Sequence, residues 1–63
     1  MNIVKVKFIN LNDEETSVEI TDNDCSNLRL CKSEIELINV AYAYVRDNCL
    51  DFVALVGVEI IAC

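Results

Sequence analysis

Near its start the chain alternates apolar and polar positions, with Val4, Val6 and Phe8 separated by Lys5 and Lys7. A second alternation places Val18 and Ile20 on one parity and Ser17, Glu19 and Thr21 on the other. A period of two marks strands with one buried face. The polar stretch Asn12-Asp13-Glu14 between them predicts a hairpin centred on that turn. Phe8 would then face Val18, Val6 would face Ile20, and Lys7 would lie opposite Glu19 as a favourable cross-strand pair. Asp22 to Asn27 is rich in side chains that bond to their own backbone, which predicts a loop. Leu28, Leu30 and Cys31 after it fit a short third strand.

From Ser33 the period changes. Ser33 and Glu36 have the spacing of a capping box, so a helix is expected from about Glu34 to Asn48. Ile35, Ile38, Tyr42, Val45 and Cys49 recur at three- and four-residue intervals and would form its core side. Leu37, Val40, Ala41 and Tyr44 widen the apolar arc past half the circumference, whereas a helix on one sheet needs an apolar stripe only somewhat wider than ~100°. Leu37, Val40 and Tyr44 therefore become candidate contact residues, with Val40 and Tyr44 exposed unless the segment 22–32 covers them.

The last segment, from Leu50 or Asp51 to Ala62, is apolar on both parities. Phe52, Ala54, Val56, Val58 and Ile60 would share one face, and Val53, Leu55 and Ile61 the other. Such a strand is expected inside a sheet, and Gly57 marks a bulge or a close approach. One helix covers one face only, so Val53, Leu55 and Ile61, with Ile3 and Ile9, form a second candidate contact patch. The elements predict one α+β domain over residues 1–63, a small two-layer sandwich of order β-β-(β)-α-β with an antiparallel-dominated sheet packed on one helix. Crossover handedness places the last strand parallel to the strand that precedes the helix if the two lie in one sheet.

Composition changes the picture in two ways. With 54% hydrophobic residues in 63, the chain has enough apolar surface to fold, unlike a disordered acidic tail. Yet a core this small needs a disulfide, a metal or a partner subunit, and a homodimer would supply that support. The 11 acidic and 5 basic side chains give a net charge of −6, which argues against direct binding to nucleic acid. The same field favours a basic protein surface, including one that normally holds nucleic acid. The charge concentrates at Asp13-Glu14-Glu15 and at Asp22 and Asp24, which are the candidate partner-binding residues.

Lys5 and Lys7 interrupt any secretory signal, and the apolar run Phe52 to Val58 is far shorter than the ~20 residues that span a bilayer. Ile60, not a cysteine, stands fourth from the end, so a prenylation signal is missing. These features predict a cytoplasmic protein, in the host cytoplasm if phage-encoded. In that compartment Cys25, Cys31, Cys49 and Cys63 are expected as free thiols, although a secreted chain could pair them as two bridges. Their spacing lacks the short knuckles of a zinc site. Asp22, Asp24 and Ser26 match the start of a calcium loop, but Asn27 and Ser33 occupy its obligatory glycine and glutamate positions. No metal and no cofactor are expected.

Catalysis by a histidine base is excluded because the chain has no histidine, and a single glycine cannot build a phosphate-cradling loop. Cys31, next to Lys32 and just before the helix, is the best candidate nucleophile, but it has no resolving cysteine at CxxC spacing. An enzyme is not expected. In size, acidity and lack of catalytic residues the chain resembles the small phage-encoded inhibitors of bacterial defence, anti-CRISPR proteins among them. No motif carries that resemblance, so it assigns no residues. It implies a non-enzymatic inhibitor that blocks a basic site on a larger protein. The alternative is a structural or assembly homodimer whose charge serves solubility alone.

Overall fold

The structure, a computed structural model, describes residues 1–62. Three strands, β1 (Ile3–Asn10), β2 (Glu15–Thr21) and β3 (Phe52–Ala62), form one antiparallel sheet in the order β2-β1-β3. One helix, α1 (Glu34–Asn48), packs over β3 and β1, and a 3-10 helix, Ser26–Leu30, lies between β2 and α1 in the chain. This is the small α+β sandwich that the hydrophobic pattern predicts. β2 and β3 both run antiparallel to β1 and hence parallel to each other, as expected of the strands on either side of the helix.

The hairpin register differs from the expected one by two residues. Val6 faces Val18, Val4 faces Ile20, and Glu19 lies opposite Lys5. The Asn10 side chain causes the shift, because its Oδ1 accepts hydrogen bonds from the backbone N–H groups of Asn12 and Glu14, both at 3.0 Å. This draws the turn back to Leu11-Asn12-Asp13, closed by Asp13 N–H donating to the Asn10 carbonyl at 3.0 Å. Asp13 takes φ 62°, the left-handed conformation that ends a three-residue hairpin loop. A slip of two keeps every side chain on its face, so the core is unaffected.

Leu28 and its neighbours are not a third strand. In a 3-10 helix residues three apart stack on one side, so Cys25, Leu28 and Cys31 all turn toward the core. Leu28 is fully enclosed. The Asn2 side chain donates to its carbonyl at 2.9 Å, which ties this segment to the start of β1.

Ser33 caps α1 as expected, its Oγ accepting from Glu36 N–H at 3.2 Å, while the Glu36 carboxylate reaches back to Lys32 N–H instead of to Ser33. The buried stripe is Leu37, Ala41 and Val45, centred on Ala41, whose small side chain suits a close approach to the sheet. Ile35 lies roughly 120° around the helix from Ala41 and is 72% exposed, so it is not a core residue.

β3 is an edge strand and not an internal one, paired with β1 alone. Its apolarity on both parities reflects interrupted pairing. Val53, Val56 and Ile61 are left out of the register with β1 at three shifts, one of them directly before Gly57. The bulge expected at Gly57 is thus present, but no close approach is, since a Cβ built there would meet no atom within 4 Å. These shifts place Leu55 opposite Phe8 and Ala54 opposite Ile9, exchanging the faces that strict alternation assigns them.

Candidate interaction surfaces

The acidic residues do not form one surface. Asp13, Glu14 and Glu15 cluster at the hairpin tip, whereas Asp22 and Asp24 follow the far end of β2, about 20 Å away by strand rise. Asp22 and Asp24 have local structural work. Asp24 Oδ2 accepts from the Thr21 backbone N–H at 3.0 Å and from its hydroxyl at 3.3 Å. Asp22 Oδ2 accepts from Asn2 N–H at 3.3 Å and lies 4.0 Å from Arg29 Nε, with the side chain only 13% exposed. Its other oxygen, Oδ1, is buried without a hydrogen-bond partner. A carboxylate so engaged holds the loop to the start of β1 and is poorly placed to meet a partner.

The tip is different. Asp13, Glu14 and Glu15 are all exposed, and among the described residues none of them is in an ion pair. Glu15 stands opposite Ile9, with no cation across the strand. Glu19 and Glu59, by contrast, flank Lys5 from either side of the sheet. The tip is therefore the part of the hairpin whose negative charge is least compensated.

The apolar candidates divide as well. Leu37 is 5% exposed and belongs to the core, which removes it as a contact residue. It points the same way as Ala41 and Val45, a direction hidden by the three-residue steps of the stripe read from sequence. Val40 and Tyr44 are half-buried and pack against the core. The 22–32 segment flanks them without closing over them: an open cleft of about 260 Å³ is lined by Cys25 and Asn27 on one side and Val40, Ala43, Tyr44, Asp47 and Asn48 on the other. Val53, Leu55 and Ile61 remain exposed, but along the free margin of β3 instead of on a continuous back face with Ile3 and Ile9. Val56 joins them, a residue that strict alternation assigns to the core. Gly57 beside it was the only sequence signal that the alternation would break there.

A second cleft, about 360 Å³, is open to solvent and lined by Asn27, Leu30, Cys31, Glu36, Asn39 and Val40. Its thiol is poorly suited to nucleophilic work. The Cys31 pKa is raised above its ordinary value, first by burial and then by the negative charge of Glu36, with Cys25 and Asp22 adding to it. Lys32, adjacent in sequence, is not among the groups that perturb it. Cys31 Sγ donates to the Asn27 carbonyl at 3.4 Å. Cys25, Cys31 and Cys49 are free; Cys63 lies outside the described residues. Among the described residues no three His, Cys, Asp or Glu side chains are grouped to hold a metal ion, and no helix is long and apolar enough to cross a membrane.

The chain matches no protein-family model, no curated protein and no solved structure. Any functional reading has to come from the surfaces themselves.

Proposed function

We propose that this protein is a non-enzymatic inhibitor that occupies a basic, nucleic-acid-binding site on a larger protein. It would act as the phage-encoded inhibitors of bacterial defence do, by steric block or by imitating nucleic-acid charge. The observation that carries this reading is the hairpin tip, where Asp13, Glu14 and Glu15 are exposed in sequence and without ion-pair partners among the described residues. The net charge of −6 supports it, because such a field steers encounter with a positive cleft. Asp22 and Asp24 are left out of the contact surface, since both serve the loop that bears them.

The test uses the basic protein captured by the tagged chain from host lysate. Its association rate with wild type is compared by stopped flow with that of Asp13→Asn/Glu14→Gln/Glu15→Gln over a range of ionic strength. Neutralising a steering cluster acts mainly on the association rate, so the variant should bind about tenfold more slowly at low salt and show a flatter salt dependence. A partner whose rate and salt slope are the same for both proteins would overturn the acidic-tip mechanism.

A further inference from the structure

We propose that two copies of this chain join through the free edge of β3, antiparallel about a two-fold axis at Gly57, to make one continuous six-stranded sheet. This inference does not rest on the inhibitor reading. Among the described residues β3 is the longest strand, has β1 as its only neighbour, and shows four successive exposed apolar residues, Val53 to Val56. A strand edge presents backbone donors and acceptors that another strand can satisfy, and proteins that stay monomeric usually guard such edges with lysine, proline or inward charges. β3 contains no lysine and no proline, and its one charge is Glu59.

The chain offers two edges, and they differ. β2 exposes Glu15, Ser17 and Glu19, so pairing β2 of one copy with β3 of the next would gather Glu15, Glu19 and Glu59 on one seam. It would also leave an open edge at each end and grow into a fibre. Pairing β3 with β3 closes on itself and brings only the two Glu59 side chains.

The register follows from the strand's own symmetry. With Gly57 opposite Gly57, Val53 of one copy comes within about one residue of Ile61 of the other along the seam, and the same approach repeats at the far end. These two residues are both left out of the ladder with β1, are 54% and 47% exposed, and lie on either side of Gly57. Because Val56 is left out at the bulge, Leu55 meets Val58 and Ala54 meets Glu59 on the faces that β1 sets, and the two Glu59 carboxylates sit about four residues apart along the seam, some 14 Å and beyond the screening length at physiological salt. At the axis the two glycines face each other with open space above them, so nothing crowds the sheet face there.

Sedimentation equilibrium of the full chain in reductant, across the micromolar range, should give twice the 7.1 kDa of one chain. Added salt should strengthen this association by screening the net charge, which is opposite to its effect on acidic-tip binding and keeps the two proposals separable. The register is tested by charge at one position. Ala54→Glu, set opposite Glu59 of the second copy, should weaken the dimer about tenfold, because like charges directly across a strand pair repel and the contact occurs twice. Ala54→Lys should not weaken it, and Ala54→Glu combined with Glu59→Lys should restore it, each with circular dichroism unchanged. Should the Ala54 variants fold poorly, hydrogen exchange of the wild-type chain decides instead, with amides of residues 53–61 gaining protection as concentration rises and those of β2 not. A monomer throughout the range, equal weakening by Glu and Lys at position 54, or protection on β2 would each overturn the proposal.

Discussion

Replacing Leu28 by alanine is the most direct probe of the 3-10 segment. Leu28 is 0% exposed, enclosed among core residues, and its backbone carbonyl is held by Asn2. Buried leucine-to-alanine changes cost about 2–5 kcal/mol, the upper values where the surroundings cannot collapse into the cavity. A site between a short 3-10 turn and a sheet can relax in part, so we expect about 3 kcal/mol. At roughly 0.05–0.15 kcal/mol per residue, a chain of this length has only about 3–9 kcal/mol to lose. Each kcal/mol is worth about 4–8 °C for a domain this small, which gives a fall in melting temperature of about 12–24 °C. Leu30 is the control. It is 74% exposed, and Leu30→Ala should stay within about 0.5 kcal/mol of wild type. Thermal and urea unfolding followed by circular dichroism measure both. In a strand, residues 28 and 30 would share a face and their losses would be similar. Equal losses would therefore refute the 3-10 packing, whatever their size.

Two further outcomes follow from local geometry. Ser33→Ala removes the acceptor for Glu36 N–H and should lower stability by about 1 kcal/mol in the same unfolding assay, with Ser33→Asp retaining most of it. The raised Cys31 pKa favours the protonated thiol in the folded chain, so its contribution is intact below the ordinary value of 9.0 and is lost as pH climbs through the higher folded value. Alkylation of Cys31, followed by mass spectrometry against pH, should show an inflection above 9.0, and Glu36→Gln should shift that inflection downward.

Much of this architecture was legible in residue order because the period of the pattern changes sharply at Ser33 and again after Asn48. The helix limits, its Ser33 cap and the three strands follow from that change. Details set by a single side chain were harder to read. The Asn10 carboxamide moves the hairpin register by two residues, and only its contacts in space reveal this. The Cys25, Leu28, Cys31 spacing of three was the available sign of a 3-10 turn, but the pair Leu28 and Leu30 also satisfies a strand. On α1 an alanine lies at the centre of the buried stripe, so a reading weighted toward large apolar residues rotates the helix toward Ile35. The interaction surfaces were least legible. An acidic residue looks the same in sequence whether it faces water, as Glu14 does, or secures a loop, as Asp22 does. Likewise, apolarity on both parities is shared by a strand with two neighbours and by β3, which has one.

The position of β1 between its partners also determines the order in which the molecule can assemble. β1 meets β2 through a short turn, but it meets β3 only when the chain has gone full circle, with Ile3 beside Ala62. A hairpin between β1 and β2 can form within microseconds of both being available. The second ladder closes a loop that contains nearly every other residue, and α1 has no complete platform until that happens. During synthesis from the N-terminus the hairpin must therefore wait with one side of β1 unsatisfied, and the final strand arrives as the closing step. Such non-local closure slows folding relative to helical proteins of similar size. It also makes the molecule intolerant of shortening: loss of β3 would remove half the partners of the central strand and leave no smaller stable unit behind.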